Sequence, residues 1–206
     1  RTTISLNNLS VKICGAHAGV SVGPDGATHQ ALEDIALMRV QPNMTVIVPC
    51  DAIEARKATI ASVFCCEGPI YLRFGREKTP IFTTDKTPFE IGKAIILRDP
   101  SINSGQAADV TIVGCGALLY NALIAAEELS KEGINVEVIN SHTVKPLDAE
   151  AILNSGKKTN AVVSVEEHQI AGGLGSAVAE ILAQNFPVPQ EFIGVRDRFG
   201  ESGEPD

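Results

Sequence analysis

Apolar positions along the chain fall into two kinds of run. Short β-branched runs bounded by Gly or Pro predict strands, and apolar residues three and four apart predict helices. Residues 11–16 read as a strand, and a glycine-rich loop follows over 19–26. Residues 29–39 place Leu32, Ile35 and Ala36 at helical spacing. Residues 45–48 are apolar and end at Pro49, which predicts a second strand. Asp51 and Glu54 have the D-x-x-E spacing of a capping box, in which each side chain satisfies a backbone N–H at the start of a helix. They open a helix to about Cys65, stopped by Gly68-Pro69. Residues 70–74 are the next strand, ended by Gly75. Strands alternating with helices over short connections predict a parallel sheet.

Residues 77–88 are rich in Thr, Lys, Asp and Pro and read as a linker. Beyond them the pattern resumes. Strands are expected over 90–97, 110–114, 135–139, 161–165 and 192–195. Helices are expected over 117–131, 148–155 and 176–184. The fold class is therefore α/β: two three-layer units with mainly parallel sheets, over 1–80 and 88–206, the first incomplete. Three strands and two helices leave an open hydrophobic sheet edge. The first unit is expected to pair with another chain, or the protein to continue before Arg1. The tail over 199–206 suggests truncation there too.

Composition narrows the function. The 206 residues are 44% hydrophobic and 4% aromatic with no Trp, so the core is mostly Ile, Val, Leu and Ala, as suits strands buried on both faces. The net charge of −8 and the lack of a Lys/Arg run argue against a nucleic-acid partner. No apolar run is long enough to span a membrane. The cysteines are Cys14, Cys50, Cys65, Cys66 and Cys115, an odd number without C-x-x-C or ligand spacing to a His. Most read as small buried residues of a reducing cytoplasm, and no metal site is expected on them.

Candidate chemistry gathers after the first strand. His17 stands at its carboxyl end, Asp25 in the loop, and His29 in the expected first turn of the next helix. Ligands of open α/β sheets bind at the carboxyl ends of the strands. The competing reading is a turn at Asp25-Gly26 and a surface His at a helix start. Arg76 follows the 70–74 strand, and in a parallel sheet it reaches the same edge. A guanidinium there suits a phosphate or carboxylate, or is a surface arginine at the start of a linker. Arg73 alternates with it toward the other face.

Three further motifs are less specific. Gly114-Cys115-Gly116 follows a strand but lacks the third glycine of a dinucleotide fingerprint. Gly172-Gly173-Leu174-Gly175 reads as tight strand–helix packing, with an anion cradle as the alternative. Glu166, Glu167 and His168 suit a polar subunit interface, or proton transfer.

The run from His17 through Asp25 and His29 to Gln30, then Glu33-Asp34, Arg39, Pro42 and Asn43, resembles transketolase. Pro49-Cys50-Asp51, Gly68-Pro69 and Arg76 continue the match. Val165-Glu166-Glu167-His168, Gly172-Gly173 with Gly175, and Arg198-Phe199-Gly200 with Ser202-Gly203 resemble the family's C-terminal domain. The resemblance covers nearly the whole chain. It implies part of a thiamine diphosphate enzyme of the pentose phosphate pathway that moves a two-carbon ketol unit from a ketose phosphate to an aldose phosphate. It assigns His29 to proton transfer near the reacting carbons, Asp25 to the donor's hydroxyls, and His17 and Arg76 to the sugar phosphate.

In the family the cofactor-activating Glu and the aromatic wall lie before this loop. The Gly-Asp-Gly…Asn motif that binds Mg²⁺ (or Ca²⁺) and diphosphate does not occur in this sequence. The chain alone is therefore expected to bind cofactor weakly and to be inactive. A homodimer, or a partner subunit with the diphosphate-binding domain, is implied. Deoxyxylulose-phosphate synthase and the β-subunits of 2-oxoacid dehydrogenases share the two domains. The former has Arg where His17 stands, and the latter lack the His17–Arg76 phosphate pair. A non-catalytic assembly or binding module is the remaining alternative.

Overall fold

The computed structural model describes residues 1–64, 66–103 and 105–204. Cys65, the expected helix end, and the last two residues of the tail lie outside the described residues. A short π-helical turn, Thr2–Leu6, precedes β1 (Lys12–Gly15). A 3₁₀ segment, Val20–Thr28, leads to α1 (Asp34–Arg39), β2 (Thr45–Ile47), α2 (Ala52–Phe64) and β3 (Ile70–Arg73). After the Thr/Pro-rich stretch come β4 (Ile95–Arg98), α3 (Pro100–Asn103), β5 (Val110–Gly114) and α4 (Leu118–Lys131). The chain continues through β6 (Val136–Asn140), β7 (Thr143–Lys145), α5 (Ala149–Thr159), β8 (Val162–Gln169), α6 (Leu174–Asn185) and β9 (Gln190–Val195).

Two sheets result, mainly parallel as expected. The first has the order β1-β3-β2-β7 and the second β4-β6-β5-β8-β9. The central strands β2, β3 and β6 are buried at every residue, because helices or the other sheet cover both faces. The outer strand β9 is nowhere buried and alternates between half-buried and exposed over most of its length. One apolar cluster joins the sheets: Val46 and Tyr71 of the first share it with Val113 and Ile139 of the second and with Leu174 and Val178 of α6. Burying each large aliphatic side chain contributes about 1.5–3 kcal/mol, so this shared core holds the two sheets together.

The N-cap half of the capping box forms, and Glu54 reaches back one residue further than the box requires. Asp51 Oδ1 accepts from Glu54 N–H at 2.9 Å, and Glu54 Oε2 accepts from Cys50 N–H at 2.7 Å. Glu54 Oε1 also accepts from Asn140 Nδ2 at 2.6 Å, which ties α2 to the end of β6 in the other sheet.

Besides α3, which no sequence signal predicts, and α5, which runs on to Thr159, three elements depart from the sequence reading. The helix expected over 29–39 begins only at Asp34. Gly23 (φ 72°) and Gly26 (φ 68°) break helical backbone ahead of it, and Ala31 is drawn into a parallel bridge with Ala18. The strand expected over 90–97 is confined to β4 and pairs antiparallel with β6. The third departure is β7, which has no sequence signal of its own. It leaves β6 after only Ser141 and His142 and pairs antiparallel with β2, so the C-terminal half of the chain supplies a strand to the first sheet. That covers the β2 side and leaves β1 as the edge strand opposite.

Candidate functional site

The parallel register of β1 and β3 sets Gly15 beside Arg73. His17 lies two residues beyond the first and Arg76 three beyond the second, so both emerge at the carboxyl edge. Backbone bonds hold the loop there. Ala18 N–H donates to Phe74 O at 3.1 Å, Ala31 N–H to His17 O at 3.1 Å, and Gly19 N–H to Ala31 O at 2.9 Å. His17 sits at φ 59°, a left-handed conformation uncommon for a residue with a Cβ.

Arg76 Nη1 donates to Asp25 Oδ2, joining the end of β3 to the tip of the loop. The side chains are 41% and 39% exposed, so a solute can reach both. His29 is exposed and ends the 3₁₀ segment rather than starting a helix. Its Nδ1 lies 2.9 Å from Thr28 Oγ1, which is 3.4 Å from the Asp25 carbonyl oxygen. A Thr28 hydroxyl that donates to that carbonyl accepts from Nδ1–H. The Nε2 lone pair is then free, the form in which an imidazole takes up a proton. The structure thus pairs the Asp25 and Arg76 side chains directly, leaves His29 in the same loop in contact with Thr28, and places His17 at the carboxyl edge of the sheet.

A buried charged layer lies beneath. Arg73, only 5% exposed, donates from Nε to Asp34 Oδ2 at 2.8 Å, and from Nη2 to Ala31 O at 3.0 Å and Glu167 O at 2.9 Å. Tyr71 Oη donates to the same Asp34 oxygen at 2.8 Å. Burial by itself raises the Asp34 carboxyl, but the Arg73 charge and these hydrogen bonds outweigh it and hold the group below the usual carboxylate range. Arg73 therefore points into the protein, where it joins the loop, α1 and β8.

Glu166, Glu167 and His168 make contacts within the chain. Glu166 is buried and accepts from Leu174 N–H at 2.6 Å and Gly175 N–H at 2.8 Å, capping α6. Burial pushes its carboxyl up to about 7, partly offset by those two N–H groups. Glu167 Oε1 accepts from Ser21 N–H at 2.5 Å and so supports the site loop. His168 is buried and neutral: Nδ1–H donates to Gln169 O at 2.7 Å, and Nε2 accepts from Ala36 N–H at 3.4 Å. Burial lowers its pKa, in keeping with that form.

The glycine loop before α6 packs tightly. A Cβ on Gly173 would meet the Glu166 carboxylate at 2.0 Å, and one on Gly175 would meet Ser164 Oγ at 2.5 Å. The N–H groups that an anion would use are taken by Glu166. Gly116 lines a cavity of about 430 Å³ where the ends of β2, β3 and β5 meet, with Ser21, Arg73, Lys78 and Glu167 also on its wall. None of the four candidate residues lines that cavity. Among the described residues, no three His, Cys, Asp or Glu side chains come together as a metal site, and no helix is long and apolar enough to cross a membrane.

Sequence reasoning missed the contribution of Gln30 and of the tail after β9. Gln30 lies under the loop and bonds to the tail through Glu201. The signal available was the pairing of Gly200 with Ser202, whose contacts lie about 170 residues away in sequence.

Comparison with known proteins identifies the family. Residues 1–81 match the family profile described as the transketolase pyrimidine binding domain, and residues 102–206 match the transketolase C-terminal domain. A 6-deoxy-6-sulfo-D-fructose transketolase subunit of Clostridium sp. (strain MSTE9) is 42% identical over 204 residues, covering 99% of this chain and 61% of its own length. A putative transketolase C-terminal section of Methanocaldococcus jannaschii is 42% identical over 209 residues, covering 100% of this chain and 63% of its own length. The chain thus spans about six tenths of the length of these relatives. A solved structure described as a split-gene transketolase, inactive β4 tetramer, superposes with a TM-score of 0.87 at 42% identity, covering 98% of this chain and 62% of that one. With both domains matched along nearly its whole length, the chain belongs to the transketolase family.

Proposed function

We infer that this chain is the substrate-facing part of a transketolase, which transfers a two-carbon ketol unit from a ketose phosphate to an aldose phosphate. The observation that carries the reading is the pairing of Asp25 with Arg76 at the sheet edge from which His17 also emerges, with His29 exposed at the end of the same loop. Arg76 and His17 hold the terminal phosphate of the sugar, the guanidinium through paired N–H donors. The same pair suits another tetrahedral oxyanion, such as the sulfo group in the name of the Clostridium relative. Asp25 accepts from the donor's hydroxyls, and His29 moves a proton at the oxygen of the reacting carbons.

Family membership implies dependence on thiamine diphosphate. When bound, that group supplies the nucleophilic carbon for the ketose carbonyl. The Gly-Asp-Gly…Asn motif that holds the magnesium-bound diphosphate in the family does not occur in this sequence. Mg²⁺ and diphosphate are assigned to a diphosphate-binding domain, on a second copy of the complete protein or on a partner subunit. The inactive β4 assembly of the split-gene neighbour supports that division. A cytoplasmic setting and a place in pentose phosphate metabolism complete the reading.

The test is ketol transfer by the complete enzyme, with its diphosphate-binding part, thiamine diphosphate and Mg²⁺. Transfer between phosphorylated sugars supports the proposal. Failure with every ketose phosphate, or transfer to a 2-oxoacid instead, overturns it.

A further inference from the structure

Gln30 follows His29 and is 6% exposed. Its Nε2 donates to Val20 O at 3.1 Å and Glu201 O at 3.1 Å, and faces Gly23 O at 3.5 Å. The first and third belong to the site loop, and Glu201 belongs to the tail. One amide thus joins both limbs of the loop that bears Asp25 to a segment about 170 residues away. Its orientation is set by chemistry. Reversing the amide would turn Oε1 toward three carbonyl oxygens.

Among the described residues the arrangement leaves Oε1 buried without a hydrogen-bond partner. Buried polar atoms are seldom left so, and an exception calls for a reason. The tail supplies a second sign that the fit is specific. A Cβ on Gly200 would fall 1.8 Å from Gln30 Oε1, and a Cβ on Gly26, at the base of the Asp25 turn, would fall 2.4 Å from Ser202 Oγ. Gly200 and Gly26 both permit an approach that a larger residue would prevent. Residues 200–202 therefore form a floor under the loop, with Gln30 as the strut between them.

We propose that Gln30 is a positioning residue, which together with the floor at Gly200 and Ser202 holds Asp25 and His29 in register for ketol transfer. The effect on turnover rests on the transketolase reading above, whereas the clamp itself does not. Displacing a reacting group by about 1 Å can slow a reaction on the order of 100-fold. Arg76 and His17 are held by β1 and β3 instead, so sugar-phosphate binding is left largely intact.

The experiment compares Gln30→Ala, Gly200→Ala and the double variant in the complete enzyme. Each single variant is expected to lower kcat by about 10- to 100-fold, with the KM for the ketose phosphate changed less than about threefold. Removing the Gln30 side chain makes room for a Cβ at residue 200, so the double variant should be no slower than Gln30→Ala alone. Amide hydrogen exchange over 19–31 should quicken in both single variants. Unchanged kcat with a lowered melting temperature would show a merely structural role and overturn the proposal, as would losses that multiply in the double variant. If the wild-type enzyme transfers no ketol unit, the functional reading falls. Faster exchange confined to 19–31 would then still support the clamp, and unchanged exchange would remove it.

Discussion

Arg76 at the end of β3 donates to the carboxylate of Asp25, 51 residues earlier in the chain, so the residue read as a phosphate holder is paired with the residue read as a hydroxyl acceptor. Both side chains are open to solvent, and an exposed ion pair of this kind contributes only about 0–1 kcal/mol. A sugar phosphate can therefore displace Asp25 from Arg76 at little cost. Arg76→Ala should raise KM for phosphorylated sugars by about 10- to 150-fold, the equivalent of roughly 1.5–3 kcal/mol for a charge-assisted hydrogen bond. Equal losses with unphosphorylated sugars would show that the guanidinium does not bind phosphate.

His29 packs little and caps no α-helix, so its removal should leave stability nearly unchanged. In the complete enzyme His29→Ala should lower kcat by about 10²–10⁴, the range for a positioned acid–base group. Steady-state kinetics read beside a melting curve check this. A turnover within a few-fold of wild type would remove His29 from the proton-transfer role.

Arg73 is expected to govern stability rather than turnover directly. Arg73→Met leaves Asp34 buried without its cation, and breaking a buried pair costs about 3–5 kcal/mol. Because the folded Asp34 carboxyl lies below its ordinary range, its contribution is present at neutral pH and is lost as acid titrates it through that lowered value. Urea unfolding at pH 7 and at pH 3 should show the variant's deficit shrinking in acid. A deficit unchanged at pH 3 would exclude this linkage.

Glu166 predicts the opposite slope. Its folded carboxyl is pushed up to about 7, so its contribution is complete below the ordinary carboxyl range and is lost as pH rises toward that value. The loss amounts to roughly 3 kcal/mol between pH 4.5 and 7. Relative to wild type, Glu166→Gln should flatten the pH dependence of unfolding free energy across that window. Parallel curves for the two proteins would count against a raised Glu166.

Calorimetry with thiamine diphosphate and Mg²⁺ should detect no tight binding to these 206 residues by themselves, since the Gly-Asp-Gly…Asn motif does not occur in their sequence. Adding the diphosphate-binding part should restore it. A Kd in the low micromolar range for the chain alone would refute the division of labour.

Much of this was legible from sequence because it rests on local physics. The strands β2, β3 and β5 announce themselves as short apolar runs bounded by Gly or Pro, and Asp51 caps the start of α2 by accepting from Glu54 N–H within one turn. His17, Asp25, His29 and Arg76 could be placed at one edge because parallel strands put their carboxyl ends together. What depended on distant partners was not legible. The three residues of β7 carry no periodicity, and only the exposed side of β2 gives them a place. The start of α1 moved to Asp34 because Ala31 and Gln30 were claimed by Ala18 and the tail. The direction of Arg73 was settled by Asp34, 39 residues away, and the role of Glu166 by the N–H groups opening α6. Backbone propensity and hydrophobic period act over a few residues, so the sequence by itself determined most of the elements and the sheet edge at which His17 and Arg76 emerge. A buried charge or amide takes the partner that burial brings within 3 Å, and only the tertiary structure decided which partner that was.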